Sequence, residues 1–382
     1  MKKVGIRSSL SRVISFISLC LILAFAGTAF SESQPGSVKI GAVLPLTGDS
    51  AAWGEQGKYG IELAVEEINA KGGINGKKLE VIYEDSQAIP KSAVTSIQKL
   101  INVDKVPAVA GDIVSATTLA MAPIAEKSHT VLIGISSSAP AITNAGEYIY
   151  RVWPSDLLEG SVLAEFAAKN KYRKVCILFI QTDYGTGLRD AFKKTLEQKG
   201  GKVLLTQGYK QDETDFKAAL LKVKSKKPDA VYIVGYYKDS GLIMKQAKEI
   251  GLKTQFFGAT AVESPKLIEI AGDAAEGLIY PIITDFDPEH PTPVAQEFIE
   301  NFKKKFGVAP DWASSHAHDA VVVIAEAMKK GGATGAGIKK TIDSQKRFEG
   351  VTGKIVFDKN GDVIDKPVTI KTLRNGKFEA YK

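Results

Sequence analysis

The residues that could do chemistry lack the spacing of the common catalytic motifs. No G-x-S-x-G pentapeptide occurs, so the nucleophile elbow of a hydrolase is not indicated. Gly332–Gly337 has the spacing of a phosphate-binding loop, but Ile338 stands where that loop requires a lysine. The turns that follow predicted strands lack G-x-G-x-x-G, the fingerprint of dinucleotide binding. We therefore expect neither enzyme activity nor a cofactor.

The sequence also predicts no metal site. The chain has four histidines, and the closest pair, His316 and His318, would lie on different sides of a helix. Asp358–Asp362 resembles a calcium loop, but Val363 occupies the position where such a loop requires glycine. The Asn-Gly pair inside this stretch, between two strand-like runs, instead predicts a hairpin turn.

The N-terminus has the pattern of a secretory signal peptide. Basic residues precede an apolar run, Val13–Ala26, and small residues follow it up to Ser31. The apolar run is shorter than the roughly 20 residues that a membrane-spanning helix needs. We therefore expect residues 1–31 to be a signal peptide that is cleaved on export, after Ala29 or Ser31. Only Cys176 then remains of the two cysteines, and its apolar neighbours predict a buried side chain rather than a reactive thiol.

Length and charge narrow the class of protein. The formal net charge of +7 falls towards balance once the basic residues of the signal segment are removed. Nothing in that balance predicts binding to nucleic acid or to a membrane surface. The remaining chain of about 350 residues exceeds what one hydrophobic core usually supports. We therefore expect two domains.

Short apolar runs alternate with longer amphipathic segments along the chain. A strand is predicted at Val38–Pro45 and a helix at Glu55–Ala70, and the cycle repeats through Val131–Ile135. A helix is predicted at Gly160–Asn170, and a second series of strands in the same style runs from Lys174–Ile180 to Thr254–Phe257. Near-continuous runs of Val, Ile and Leu joined by helices predict parallel strands buried on both faces. We therefore predict an α/β fold of two doubly wound lobes.

The last third of the chain breaks this rhythm. Strong helical patterns at Val294–Phe306 and Ser314–Lys330 are followed by strand-like runs such as Lys366–Thr372. A return of the chain to the first lobe would join the lobes by several crossing segments, which suits hinged closure around a ligand. The predicted boundaries are residues 32–153 plus 284–355 for the first lobe, and 154–283 plus 356–382 for the second lobe or a return near the hinge.

The most informative stretches of the sequence lie between Ile40 and Gly277. They are, in order, Ile40–Gly48, Ala51–Gly54, Glu66–Ile74, Asp183–Gly185, Gly235–Tyr237, Gly251–Phe256 and Ala271–Gly277. In this order they resemble the leucine/isoleucine/valine-binding protein family, and beyond Gly277 the match is looser. The resemblance implies a type I periplasmic binding protein fold, in which two α/β lobes are joined by a three-strand hinge. The crossings are expected near Trp153-Pro154, Ile282–Thr284 and Ile355–Phe357.

The resemblance places the carboxylate of a ligand at a corner of the first lobe. Ser115, at the start of a helix, matches a ligand-binding serine of the family, and Ser136 and Ser138 match a small-residue loop. Hydroxyls and free N–H groups at a helix N-terminus also form an anion site on physical grounds. Each hydrogen bond to a charged group is worth roughly 1.5–3 kcal/mol. The structural alternatives are an ordinary N-cap for Ser115 and a polar loop at a strand end for the other two.

Aromatic residues are implied on both sides of the ligand. Trp53, predicted in a loop of the first lobe, matches an aromatic residue that lies on the ligand. Tyr184 and Tyr236 match aromatic residues of the second lobe that close over the ligand. Tyr237 is an alternative to Tyr236, because the alignment with the family pattern can shift by one residue here. The structural alternatives are a packed tryptophan at the edge of the cleft for Trp53 and core packing at strand ends for the tyrosines.

Thr260 is the main departure from the family pattern. The family's amino-acid binders have a glutamate at this position, where it pairs with the ammonium of the ligand. A buried ammonium without an anionic partner costs several kcal/mol. Glu263, Asp112 or Glu55 would have to take over that role, or the ligand carries no amine. Relatives that bind aromatic or aliphatic carboxylates exist in this family, and Thr260 stays a predicted ligand-binding residue in either case.

The resemblance implies a periplasmic solute-binding protein of an ABC importer. Its expected ligand is a branched-chain or related aliphatic amino acid. The alternatives are an amine-free carboxylate on the same scaffold and an extracellular ligand sensor. The expected partner is the ABC permease of the inner membrane, and the protein itself is expected to be a monomer.

Overall fold

A computed structural model of the protein describes residues 36–283 and 291–382. The predicted signal segment, residues 1–31, lies outside the described residues, as does Thr284, where one crossing was expected to end. Within the described ranges, no helix is both long enough and apolar enough to cross a membrane.

Residues 38–151 form a lobe around a five-stranded parallel sheet. Its elements are β1 (Val38–Leu44), α1 (Ala51–Ala70), β2 (Leu79–Asp85), α2 (Pro90–Asn102), β3 (Ala108–Ala110), α3 (Ser115–Lys127), β4 (Val131–Gly134) and β5 (Ile149–Arg151). The strand order is β2-β1-β3-β4-β5. Every residue of β3 and β4 is buried, which explains why these strands are continuous apolar runs. The predicted α/β architecture is confirmed.

A second lobe follows with the same alternation of strands and helices. Its elements are α4 (Asp156–Lys169), β6 (Lys174–Ile180), α5 (Asp183–Gln198), β7 (Lys202–Tyr209), α6 (Lys217–Lys226), β8 (Ala230–Val234), α7 (Tyr237–Glu249), β9 (Gln255–Phe257), α8 (Pro265–Ala271) and β10 (Ile279–Ile283). Two strands from the end of the chain, β14 (Val368–Arg374) and β15 (Lys377–Ala380), join this sheet in antiparallel orientation. The strand order of the sheet is β15-β14-β10-β9-β8-β6-β7.

The segment between these two parts of the second lobe packs back on the first lobe. It contains α9 (Pro293–Phe306), α10 (Trp312–Gly331), α11 (Gly335–Gln345), β11 (Arg347–Gly350), β12 (Gly353–Phe357) and β13 (Val363–Ile364). Helix α10 lies so close to α1 that a Cβ atom added to Gly60 would be 2.0 Å from the Ser314 carbonyl oxygen. Strands β12 and β13 are antiparallel, so the Asn-Gly pair between them lies in a hairpin, as predicted.

The chain passes from one lobe to the other between β5 and α4, between β10 and α9, and between β13 and β14. The last passage comes later than Ile355–Phe357, because β12 pairs with β11 and β13 instead of joining the second sheet. Beside the first passage, Arg151 of β5 donates from Nε to Oδ1 of Asp362 at 2.7 Å. This ion pair ties β5 to the hairpin that precedes the last passage.

Two helices begin a turn earlier than the sequence predicted, and both differences concern the site. Helix α1 includes Trp53 in its first turn, so this residue is not in a loop. Helix α4 begins at Asp156 because the Ser155 hydroxyl caps it by accepting a hydrogen bond from the Leu157 N–H. The added turn of α4 carries Glu159.

Candidate functional site

Residues of both lobes line one cavity between them. Every residue predicted for the site lines it: Trp53, Ser115, Ser136 and Ser138 from the first lobe, and Tyr184, Tyr236 and Thr260 from the second. Residues not predicted for the site line it as well: Ile113, Val114, Trp153, Glu159, Ala261 and Trp312. Folding thus brings side chains from both lobes around one space.

The Ser115 hydroxyl donates no hydrogen bond to the residues that the structure describes. Ser115 is the first residue of α3, and its Oγ accepts hydrogen bonds from the N–H groups of Ser138 and Ala139, both at 3.1 Å. The N-cap position belongs to Val114, which makes no side-chain cap, so the N-cap alternative for Ser115 is wrong. Because both bonds use lone pairs of the oxygen, the hydroxyl hydrogen remains for an acceptor in the cavity.

The serine loop after β4 is held from behind by a buried cation. Arg151 is fully buried, and its Nη1 donates to the carbonyl oxygens of Ser138 and Ala139 at 2.9 and 3.0 Å. The Ser137 hydroxyl donates to a backbone carbonyl at 2.7 Å and does not line the cavity. The Ser136 hydroxyl lines the cavity, and its hydrogen bond to a backbone carbonyl is longer, at 3.3 Å. Hydroxyl donors at a helix start make this corner suitable for an anion, and the guanidinium fixes the loop that carries two of them.

All three tryptophans of the chain meet at the cavity. The ring of Trp312, in the first turn of α10, lies 5.6 Å from the rings of both Trp53 and Trp153, measured between centroids. The indole Nε1 atoms of Trp53 and Trp312 are buried and have no hydrogen-bond partner among the described residues. These N–H groups are donors that a bound molecule can satisfy.

The second lobe presents two stacked tyrosines. The rings of Tyr184 and Tyr236 are 5.6 Å apart with 11° between their planes, and the ring of Tyr236 meets Trp53 edge-on at 5.3 Å. The Tyr184 hydroxyl is buried and lacks a hydrogen-bond partner in the described chain. The Tyr237 hydroxyl donates to the Asp49 backbone oxygen outside the cavity. Of the two adjacent tyrosines, Tyr236 is therefore the one on the cavity.

Thr260 is engaged with its own lobe, and a glutamate lies beside it. The Thr260 hydroxyl donates to the Pro281 carbonyl at 2.9 Å, and the Thr260 N–H donates to Oε1 of Glu159 at 2.8 Å. Burial raises the pKa of Glu159 to about 7, although the hydrogen bonds from Thr260 act in the opposite direction. A carboxylate thus lies at the corner where the family pattern has one, but it comes from α4.

The acidic residues considered above as ammonium partners do not line the cavity. Glu263 accepts hydrogen bonds from the Tyr280 hydroxyl at 2.7 Å and from Lys371 at 3.1 Å. Asp112 is completely buried, which raises its pKa to about 6. Glu55 accepts a hydrogen bond from a neighbouring tyrosine hydroxyl on an exposed part of α1. None of the three is placed to meet a ligand in this cavity.

Glu159, Trp153 and Trp312 line the cavity although the sequence patterns did not assign them to it. A signal for Glu159 was present, because a serine followed by acidic residues is typical of a helix N-terminus. The start of α10 was also visible, since Asp311 precedes Trp312 and caps the helix. No local pattern, however, links α10 to the cavity.

Comparison with known proteins agrees with this architecture. The sequence profile of the periplasmic binding protein family matches residues 37–377. The leucine-, isoleucine-, valine-, threonine-, and alanine-binding protein of Pseudomonas aeruginosa is 33% identical over 364 residues, which cover 94% of this chain and 93% of the relative.

Two solved structures extend the comparison. A leucine binding protein of Thermotoga maritima has a TM-score of 0.85 and 32% identity, covering 90% of this chain and 98% of that one. A solute binding protein of Rhodopseudomonas palustris in complex with 3,4-dihydroxy benzoic acid has a TM-score of 0.79 and 28% identity, covering 90% of this chain and 95% of that one. This chain belongs to the periplasmic binding protein family.

Proposed function

We propose that the protein captures a branched-chain or related aliphatic amino acid between its lobes and passes it to an ABC permease. The observation that carries the proposal is the cavity in which hydroxyl donors of the first lobe face aromatic rings of the second. Two relatives with high coverage support this ligand class, because one is a leucine-, isoleucine-, valine-, threonine-, and alanine-binding protein and the other a leucine binding protein.

The carboxylate of the ligand lies against Ser115 and the serine loop in this proposal. The remaining hydroxyl hydrogen of Ser115 and the start of α3 supply a donor and partial positive charge. The buried guanidinium of Arg151, which is paired with Asp362, holds the serine loop in place from behind. Each hydrogen bond to the carboxylate contributes roughly 1.5–3 kcal/mol, enough to fix the orientation of a small ligand.

The aliphatic side chain of the ligand lies among the aromatic residues. Each buried methylene contributes about 0.8 kcal/mol. Because Trp53 belongs to the first lobe and Tyr236 to the second, a ligand between them favours the closed arrangement. A direct contact supports closure at the rim, where Lys238 Nζ lies 2.5 Å from Oδ2 of Asp49.

The proposed location of the protein is the periplasm, and its proposed partner is an ABC permease. In this proposal residues 1–31 direct export to the periplasm and are removed. The mature protein works there as a monomer beside an inner-membrane permease. The family assignment and the N-terminal charge pattern support this location. In this proposal the lobes have the boundaries predicted from the sequence, with one exception. The chain returns to the second lobe just before β14 and not at residue 356.

Titration of ligand-stripped mature protein with leucine, isoleucine and valine tests the proposal. Every tryptophan lies at the cavity, so binding is expected to change the intrinsic fluorescence. Saturable binding of at least one of these amino acids, weakened in Ser115→Ala, supports the proposal. A protein that binds none of them, nor any other amino acid, would remove it.

A second candidate ligand is an amine-free aromatic carboxylate on the same scaffold. Thr260 stands where the family's amino-acid binders have a glutamate, and a related structure holds 3,4-dihydroxy benzoic acid. Benzoate and 3,4-dihydroxybenzoate therefore belong in the same titration. Binding of these acids without binding of any amino acid would replace the first proposal by the second.

A further inference from the structure

Two neighbouring carboxylates of the second lobe are buried, and one of them lies at the wall of the cavity. Glu159 lines the cavity and is 3% exposed, and Asp156, one turn earlier on the same side of α4, is 0% exposed. Burial raises the pKa of Asp156 well above its usual range, and the nearby charge of Glu159 raises it further. Acidic side chains are rarely buried to this extent unless a positive charge balances them.

The described part of the protein supplies no cation for this pair. Neither carboxylate forms an ion pair with a lysine, arginine or histidine within residues 36–283 and 291–382. Arg151 lowers the pKa of Asp156 through its charge, but its guanidinium is already committed. It donates to Asp362, to Thr143 and to the carbonyls of the serine loop.

Polar atoms around the acidic pair also lack partners. Both carboxylate oxygens of Asp156 and the hydroxyls of Tyr184 and Tyr232 are buried and without a hydrogen-bond partner among the described residues. The Ser138 hydroxyl is near enough to lower the pKa of Asp156 but does not complete a hydrogen bond. Buried polar atoms are almost always paired in native proteins. We therefore expect a polar group of the bound ligand to supply the missing hydrogen-bond partner here.

The position of Glu159 connects it to both ends of the site. Its Oε1 is held at 2.8 Å by the Thr260 N–H, at the position where the family pattern has a glutamate. One turn earlier, the Asp156 N–H donates to the Ser138 carbonyl at 2.9 Å. The acidic pair therefore lies next to the serine loop, and the anion corner and the acidic corner are neighbours.

We propose that Glu159 receives the ammonium group of the ligand and that Asp156 is a positioning residue that adds negative charge behind it. This inference rests on the proposed function and narrows the ligand to α-amino acids. Because the serine loop and the acidic pair are adjacent, a ligand that carries both charged groups on one carbon satisfies both corners. An amine-free acid leaves the acidic pair unbalanced and binds weakly.

The test compares amino acids with their deaminated analogues. Leucine is paired with 4-methylpentanoate and phenylalanine with 3-phenylpropanoate, each titrated calorimetrically into ligand-stripped protein. The wild type is expected to bind at least one amino acid roughly 100-fold or more tightly than its analogue. Glu159→Gln, which keeps an acceptor for the Thr260 N–H, should weaken amino-acid binding by about tenfold or more and leave analogue binding unchanged or tighter. Unchanged amino-acid affinity in this variant overturns the inference.

Thermal unfolding without ligand separates ligand binding from a structural role. Because burial disfavours the charged form of Glu159, its replacement by a neutral amide should leave the Tm of ligand-free Glu159→Gln unchanged or raised. A lowered Tm together with equal losses for both members of a pair would mean a structural role and overturn the inference. Asp156→Asn should show a smaller loss that is again confined to the amino acid, and an equal loss for the analogue would overturn the role of Asp156.

The outcomes also separate this inference from the proposed function. A wild-type protein that binds neither member of any amino-acid pair removes the proposed function and the inference together. A wild-type protein that binds leucine, and whose affinity is the same in Glu159→Gln, removes only the inference.

Discussion

Replacement of Ser115 by alanine removes an oxygen that makes hydrogen bonds towards both the protein and the ligand. The hydroxyl oxygen accepts from the N–H groups of Ser138 and Ala139, both at 3.1 Å, and its hydrogen is left for the ligand's carboxylate. The lost bond to a charged group is worth roughly 1.5–3 kcal/mol, which corresponds to a loss of affinity of roughly 10- to 150-fold. The two released N–H groups are buried, so their loss of an acceptor should also lower the free energy of unfolding, by about 2 kcal/mol or more.

Calorimetric titration with the tightest-binding amino acid measures this loss. Ser137→Ala is a matched control, because Ser137 belongs to the same loop but donates to the Asp112 carbonyl at 2.7 Å and does not line the cavity. The control should destabilise the fold while changing the affinity by less than about threefold. Wild-type affinity in Ser115→Ala would refute the assignment of the carboxylate to this corner.

Three other perturbations have defined outcomes. Trp53→Ala should weaken amino-acid binding roughly tenfold or more, because its ring contacts rings of both lobes; unchanged affinity in a titration would contradict this. Gly60→Ala should lower the free energy of unfolding by more than about 2 kcal/mol, because the new Cβ would lie 2.0 Å from the Ser314 carbonyl oxygen; wild-type stability in urea would disprove that close approach. Although burial disfavours the charged form of His318, hydrogen bonds with two neighbouring carboxylates raise its pKa from 6.5 to about 9. Its protonated form then contributes roughly 3 kcal/mol of stability below the unfolded pKa, and this contribution is lost as the pH rises from 6.5 through about 9. Urea denaturation at about pH 6 and about pH 9.5 should show this fall in the wild type and not in His318→Gln.

The sheets could be predicted because their strands are buried on both faces. Val131–Gly134 contains no charged residue, and every position in it is buried, so the strand is visible as a continuous apolar run. Strand β6 coincides with its prediction from Lys174 to Ile180 for the same reason. The first turn of α4 was missed because it places Asp156 and Glu159 on a buried side, which these residue types do not predict.

The site was only partly predictable because several of its contacts are long-range. The serines and tyrosines belong to motifs that resemble a family, and the structure brings them to one cavity. The hydrogen bond between Glu159 and Thr260 joins residues 101 positions apart, and nothing local to either residue indicates the other. Trp312 lies on a helix beyond the stretch where the resemblance is specific, so its arrival at the cavity follows only from the packing of α10 on α1.

A crystal structure with the tightest-binding amino acid bound tests the central claim most directly. We predict an oxygen of the ligand's carboxylate within about 3 Å of Ser115 Oγ, the ammonium beside Glu159, and the side chain among the tryptophans. A ligand whose carboxylate contacts neither Ser115 nor the serine loop, or a ligand bound outside the space between the lobes, would contradict this account.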